Sequence, residues 1–107
     1  MAEPAHSSIA AVVTALDHPT RRRIVAVLYA GEQHVSALAR MLGVSRPVVH
    51  VHLAKLASAG LVRSRLDLSE DGKALRVVEL ESFDIRLTPE TVTAEAEREA
   101  SHQEEGH

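Results

Sequence analysis

The sequence VSALARMLGVSRPVVHVHLAKLASAG, residues 35–60, contains two complete helix signals in close succession. Ser36 and Ser45 are suited to cap helix N-termini, and Gly43 and Gly60 stand where each apolar pattern stops. A new cap directly after a glycine stop is more informative than periodicity, because it defines the end of one helix and the start of the next. The spacing predicts a helix-turn-helix.

The residues before this stretch predict two more helices. Ser7 or Ser8 is suited to cap the first. Asp17 is the expected N-cap of the second, over 20–30, with Pro19 in its tolerated first turn. The apolar stripe of the first helix has the spacing i, i+3, i+4, i+7 and consists of Ile9, Val12, Val13 and Leu16.

After Gly60 the apolar pattern takes on the composition and period of strands, over 61–68 and 74–80, joined by an Asp-Gly turn. The second strand is expected to extend into 81–87, and Thr88 to cap a last helix. The predicted fold is mainly α with a small β-hairpin (α+β), in the order helix–helix–helix–turn–helix–hairpin–helix. It forms a single winged helix-turn-helix domain over 1–107, with the core at about 9–87 and a polar helix over 88–107 whose end is frayed.

Length and composition exclude several classes of protein. The 107 residues suffice for one small domain, and 2% aromatic residues cannot build a stacking platform for single-stranded nucleic acid. Without Cys there is no disulfide or thiolate metal site. The sequence has no apolar run near the roughly 20 residues of a membrane helix, no phosphate-binding glycine loop and no nucleophile motif. We expect a cytoplasmic protein that is neither an enzyme nor membrane-bound.

The net charge of −3 conceals a strong asymmetry. Residues 17–65 carry eight Lys and Arg against two Asp and Glu, a charge of +6. Residues 66–107 carry four against twelve, a charge of −8, and Glu3 completes the total. A polyanionic partner is therefore expected at the first segment. The acidic C-terminal helix is expected to be a solvated face.

Several motifs in order resemble the ArsR family of transcriptional regulators. They are LDHPTRRRI at 16–24, VSALA at 35–39, VSRPVVHVHL at 44–53 and LASAGLV at 56–62, within a similarity that covers about 9–80. The resemblance implies a homodimeric, sequence-specific DNA-binding repressor, often released by a metal ion or another small effector. The chain lacks the Cys-x-Cys after the helix-turn-helix and the Asp-x-His pair on the last helix that sensing members carry.

Helical geometry predicts how the helix over 45–59 reads double-stranded DNA. With Val49 at the centre of the buried face and about 100° per residue, positions 47, 50, 51, 54 and 55 face outward. Arg46 can reach a guanine edge, His50 a base edge and Val51 a thymine methyl, whereas Lys55 fits a phosphate. His52 lies at the flank of the core and is expected to be a packed or backbone-bonded histidine.

Further contacts to the duplex are expected from helix caps, the second helix and the wing. At most two of Arg21, Arg22 and Arg23 can touch one strand, and the third is expected to pair with acids. In the wing we expect a contact from Arg65 or Lys73 but not both, because the turn also holds acids. The predicted DNA-binding residues are Ser36, Ser45, Arg46, Pro47, His50, Val51, Lys55, Arg22, Arg65 and Lys73.

Self-association is expected through the apolar stripe of the first helix together with the thin apolar face of the last. The predicted dimerisation residues are Ile9, Val12, Val13, Leu16 and Val92, with the stripe also serving the core. A dimer would place two reading helices about 34 Å apart on a palindromic operator.

Seven His without Cys raise a metal hypothesis, because Ni²⁺ or Zn²⁺ accepts imidazole and carboxylate ligands. Glu99 and His102 are spaced to share a helix face, and His6 could complete a site. DNA binding itself requires no cofactor.

Two alternatives remain at this stage. The fold also serves as a protein-interaction module, although such modules tend to present apolar or acidic residues on the reading helix. The second alternative is the same repressor gated by a metal bound to His and carboxylate ligands.

Overall fold

The computed structural model describes residues 8–105, in which five helices pack with a three-stranded antiparallel sheet. The elements in chain order are α1 (Ile9–Leu16), α2 (Pro19–Ala30), β1 (Gln33–His34), α3 (Val35–Leu42), α4 (Arg46–Ser58), β2 (Val62–Leu68), β3 (Ala74–Leu80) and α5 (Pro89–Glu105). We call β2, β3 and the turn between them the wing. The predicted helix-turn-helix, hairpin and fold class are confirmed.

Three of the predicted helix caps are confirmed by their hydrogen bonds. The hydroxyls of Ser8, Ser45 and Thr88 each accept a bond from the backbone N–H three residues ahead, at 3.0, 3.4 and 3.1 Å. Gly43 ends α3 in the left-handed conformation, with φ of 71°. The cap of Ser45 and the left-handed backbone of Gly43 thus determine the turn between α3 and α4 through contacts within the turn itself.

Two other predicted caps are wrong. His18, not Asp17, is the N-cap of α2: its backbone is extended, and its Nδ1 accepts from the N–H of Thr20 at 3.1 Å. Asp17 instead closes the end of α1 with its backbone N–H. α3 begins earlier than predicted, at Val35, because β1 leads straight into it, so Ser36 lies inside its first turn and caps nothing.

The sheet has the order β1-β3-β2, so β3 is its central strand. β2 and β3 pair from Val62 opposite Leu80 to Leu68 opposite Ala74. β1 was not predicted, because its two polar residues carry no alternating pattern. Its pairing brings the segment before α3 against the wing.

The predicted continuation of β3 into 81–87 is wrong. The backbone N–H of Glu81 still donates to the carbonyl of Leu61, at 2.9 Å, but β2 begins only at Val62 and offers no partner beyond Leu80. Residues 81–88 therefore run without regular structure. Ile85 packs at the edge of the core.

One apolar core joins α1 to α4 and the base of the wing. Its fully buried side chains include Ile24, Leu38, Val49, Leu56 and Val78. α5 lies outside this core and packs on α1, and Glu95 is the buried side chain among those described in α5. No helix among residues 8–105 is long and apolar enough to cross a membrane.

Candidate nucleic-acid interface

α4 is anchored by one face and presents the other to solvent. Val49, Leu53 and Leu56 are buried in the core, as the 3.6-residue period predicts. Ser45 caps the helix, and a proline stands in its first turn. The outward residues are all exposed, as predicted: Arg46, Pro47, His50, Val51, Ala54 and Lys55.

The exposed face of α4 carries no negative charge. Its sequence, RPVVHVHLAKLAS, contains no Asp or Glu. Within residues 8–105, neither Arg46 nor Lys55 forms an ion pair. Val51 adds an apolar patch that is 59% exposed. Cationic donors beside a small apolar group match what the major groove of a duplex offers, namely guanine acceptors and thymine methyls.

Arg65 lies on the sheet face that holds the acids of the wing. Its guanidinium donates to both carboxylate oxygens of Glu32, at 2.8 and 3.1 Å, and lies 2.6 Å from Glu79. These hydrogen bonds hold the pKa of Glu32 below its ordinary value and raise the pKa of Arg65. Arg63, two residues away on the same face, binds Glu79 and Glu81 at 2.8 and 3.1 Å. The charge of Arg65 is thus already matched by acids.

The turn of the wing has a mixed charge. Lys73 is exposed there, and its backbone N–H donates to Ser69 Oγ at 3.1 Å. The hydroxyl of Ser69 donates to Asp71, and this bond together with the N–H of Lys73 lowers the pKa of that carboxyl. Asp71 therefore keeps a negative charge beside Lys73. Of the two predicted wing contacts, Lys73 is the one whose ammonium makes no ion pair within residues 8–105.

A cleft of about 250 Å³ separates α4 from the wing. His50 and Ala54 line one side, and Ser64 and Arg76 line the other. Arg76 is exposed, and its Nη1 donates to Ser64 Oγ at 3.0 Å. Sequence reasoning missed Arg76, although strand alternation could have placed it opposite the face of Arg65.

The three arginines that open α2 serve the protein's own backbone. Arg21 donates to the carbonyls of Thr14 and Ala15, at 3.3 and 3.4 Å, and Arg23 donates to that of Met41 at 3.4 Å. The prediction that one of these arginines pairs with acids is wrong for the part of the chain that the structure describes.

Arg22 does not join the face of α4. It donates to the carbonyl of Leu16, at 2.8 Å, and thereby helps to close α1. It also lines an apolar groove between α1 and residues 83–87. The structure therefore separates Arg22 from the other predicted DNA-binding residues.

His52 is a packed histidine, as predicted, but a side chain binds it rather than the backbone. Its Nδ1 accepts from Arg21 Nε at 3.2 Å, and its ring lies 4.5 Å from that of His18. Burial lowers the pKa of His52, and the electrostatic influence of His18 and Arg21 adds to this. Because both rings use Nδ1 as an acceptor, their neutral forms carry the proton on Nε2.

Among residues 8–105, the structure shows no cluster of metal ligands that would support the metal hypothesis. Glu99 and His102 are exposed on α5, and His6 lies outside the described residues. Within residues 8–105, no three His, Asp or Glu side chains lie close enough to hold an ion together. Glu95, another acid on this helix, is instead held against α1.

The predicted dimerisation residues divide between core and surface. Val12 is 2% exposed and belongs to the core, which makes it unsuitable for a partner. Ile9 and Leu16 are half-buried. Val13 and Val92 are 47% and 48% exposed. Val13 also borders an apolar groove of about 530 Å³ formed with Phe83 and Leu87.

A capped, acid-free helix exposed beside a hairpin wing defines a winged helix-turn-helix regulator. Comparisons with known proteins agree: residues 16–65 match the model of a helix-turn-helix domain family. An uncharacterised HTH-type transcriptional regulator of Methanocaldococcus jannaschii, MJ0229, is 37% identical over 78 residues, which are 73% of this chain and 81% of that protein. The chain belongs to the helix-turn-helix transcriptional regulators, and among them it is similar in structure to the ArsR family.

Solved structures show the same fold. An ArsR family transcriptional regulator, RHA00566, superposes with a TM-score of 0.60 at 26% identity, covering 90% of this chain and 92% of that one. The transcriptional repressor BigR from Xylella fastidiosa gives 0.60 at 25% identity, covering 71% and 70%. The homodimeric winged helix-turn-helix domain of Mb0332 from Mycobacterium bovis gives 0.60 at 23% identity, covering 91% and 80%.

Proposed function

We propose that this protein is a homodimeric repressor that binds a palindromic site in double-stranded DNA through α4. The observation that carries the proposal is the exposed face of α4, where Arg46, His50 and Lys55 stand without a carboxylate on the helix. A protein-interaction helix of this fold would be expected to carry apolar or acidic side chains there. The +6 segment over 17–65 supports a polyanionic partner.

The residues of α4 divide by position into base-reading and phosphate-binding groups. Arg46, in the first turn, can donate two hydrogen bonds to O6 and N7 of guanine. His50 follows one turn later and can donate or accept at a base edge, and Val51 can contact a thymine methyl. Lys55 stands deeper along the helix and fits a phosphate, which positions the protein without reading sequence.

Other contacts in this proposal go to the phosphate backbone. Ser45 and the backbone N–H groups of the first turn of α4, and Ser36 in that of α3, stand at helix N-termini, which favour anions. Lys73 in the turn of the wing supplies a cation. Arg65 has no part in this version, because acids bind it, and Arg22 is left out because it lines the groove between α1 and residues 83–87, which contains no residue of α4.

The dimer is proposed to form through α1 and α5, which together expose Val13 and Val92 at the surface. An isolated module of this size has limited affinity for DNA, and two copies related by a two-fold axis match a palindromic site. The homodimeric state of Mb0332, which shares the fold, supports this arrangement. Repression would follow from occupying a promoter, and the similar protein BigR is a transcriptional repressor.

The test is binding to duplex DNA from the protein's own promoter region, titrated with salt. We expect specific binding whose affinity falls steeply with salt. Arg46→Ala with His50→Ala should lower specific affinity at least on the order of 1,000-fold, since the homodimer loses four base contacts that each contribute about 1–3 kcal/mol. The matched control, Arg86→Ala with His102→Ala, removes the same side chains away from α4. Equal affinity in the two double variants, or binding that salt does not weaken, would refute the proposal.

The same titration tests the regulatory metal. Added Ni²⁺ or Zn²⁺ that changes DNA affinity or melting temperature in the wild type, but not in Glu99→Ala with His102→Ala, would establish a His and carboxylate site. No response to either ion in the wild type would remove the metal from the proposal.

A further inference from the structure

Arg76 lies across the cleft from α4 and donates a hydrogen bond to Ser64. The two side chains belong to the wing face that lines the cleft with His50 and Ala54 of α4. The bond from Arg76 Nη1 to Ser64 Oγ, 3.0 Å long, runs between neighbouring strands. The guanidinium is therefore oriented by a hydrogen bond to the neighbouring strand, close to α4.

The electrostatic setting of Arg76 differs from that of the other strand arginines. Arg63, which also lines the cleft, and Arg65 are matched by Glu32, Glu79 and Glu81. Arg76 has no carboxylate partner within residues 8–105. A guanidinium has five N–H donors, and the bond to Ser64 uses one of them. The remaining donors and the full charge are available to an anion.

We propose that Arg76 is a phosphate-binding residue, and that a phosphate of the duplex backbone lies at the mouth of the cleft between α4 and the wing. This inference rests on the proposed function and adds a contact to it. The ligand is a backbone phosphate rather than a base, because Arg76 projects from the sheet while the first turns of α4 occupy the groove. A planar, fixed guanidinium suits bidentate binding of phosphate oxygens. Ser64 is a positioning residue.

The test compares Arg76→Ala with Arg65→Ala, which removes the same charge from the opposite face of the same wing. One phosphate contact contributes a salt slope of about −0.9, equivalent to about eightfold in affinity at 0.1 M salt. Because the proposed homodimer carries two copies of Arg76, Arg76→Ala should weaken operator and random duplex DNA by the same factor, about 60-fold, and reduce the salt slope by about 2. Arg65→Ala should leave the slope at the wild-type value.

Two further variants separate charge from position. Arg76→Lys should keep the wild-type salt slope, because the charge remains, and should lose part of the affinity, because bidentate geometry is lost. Ser64→Ala should lower affinity with little change in slope. Stoichiometric titration of each variant corrects for any unfolded fraction, so misfolding cannot imitate these effects.

The outcomes distinguish this inference from the proposed function. If the wild type does not bind duplex DNA, the proposed function fails and the inference falls with it. If the wild type binds with a steep salt slope that Arg76→Ala leaves unchanged, the inference alone is overturned and Arg76 merely covers the cleft. Equal loss of slope in Arg76→Ala and Arg65→Ala would also overturn it, since net charge would then explain both.

Discussion

The carboxylate of Glu95 on α5 accepts a hydrogen bond from the backbone N–H of Ala10, in the first turn of α1, at 2.7 Å. Glu95 is 5% exposed, and Arg98 on the same helix binds its other oxygen. A carboxylate at a helix N-terminus satisfies an N–H without an intrahelical partner and favours the positive end of the helix dipole. Glu95 thus fastens α5 to the domain through α1.

Glu95→Ala should therefore lower the free energy of unfolding by about 1.5–3 kcal/mol, the usual contribution of a hydrogen bond to a charged group. Glu95→Gln, which keeps an acceptor oxygen, should lower it less. Urea denaturation at one fixed protein concentration measures both, because the stability of a dimer depends on concentration. Glu99→Ala, on the exposed side of α5, is the control. Equal midpoints for the two alanine variants would contradict the assignment.

Val13→Glu should convert the proposed dimer into monomers, because it places a charge in the proposed contact of α1. The measurement is sedimentation equilibrium at a concentration where the wild type is dimeric. Leu68→Glu makes the same change at a wing residue that is 73% exposed, and should leave the dimer intact. A wild-type dissociation constant for Val13→Glu would exclude α1 from the interface.

The histidine pair of α2 and α4 predicts a pH dependence of stability. Because burial and the electrostatic influence of His18 and Arg21 lower the pKa of His52 below its ordinary 6.5, the unfolded chain binds a proton more readily than the folded one. The stability that this difference contributes is therefore fully present above about pH 7 and is lost as the pH falls through and below about 6.5. His52→Asn retains an acceptor for Arg21 and should flatten this part of the curve of unfolding free energy against pH.

The control for this pH dependence is His50→Asn, on the exposed face of the same helix. In this variant the unfolding free energy should change with pH as steeply as it does in the wild type. A steep slope that persists in His52→Asn would assign the effect to another group.

The left-handed backbone of Gly43 predicts a cost for any side chain in the turn between α3 and α4. A Cβ there would meet no atom within 4 Å, so the penalty comes from the φ of 71° alone. Gly43→Ala should destabilise the protein by about 1 kcal/mol. Gly43→Asn should destabilise it less, because Asn tolerates this conformation. Thermal unfolding compares them, and an alanine variant as stable as the wild type would show that the turn adapts.

Much of the fold could be predicted from local chemistry. Helix faces such as that of Val49 and His50 follow from a period of 3.6 residues, and the caps Ser8, Ser45 and Thr88 act within one turn. The outward-facing residues of α4 could be predicted for the same reason, because their exposure depends only on which residues of that helix are apolar.

The contacts that could not be predicted join separate elements of the fold. Arg65 was one of two alternatives for a wing contact with DNA, and its partner Glu32 lies 33 residues away and meets it through the pairing of β1, a strand without a pattern. Arg22 binds the carbonyl of Leu16, which is only six residues away but belongs to the preceding helix. No spacing rule reveals such meetings, because they depend on how the elements pack.

The separation of charge between the two faces of the wing also affects how the protein finds DNA. Glu32, Glu79 and Glu81 line one side, so a duplex that approaches from that side meets carboxylates that offset the arginines. An approach along α4 meets only cations from that helix. Diffusional encounters with the wrong face should therefore dissociate quickly, and those along α4 should persist long enough for the protein to slide. Under the proposed function, these carboxylates and their ion pairs, which add little to stability, would shorten encounters between DNA and the wrong face of the protein.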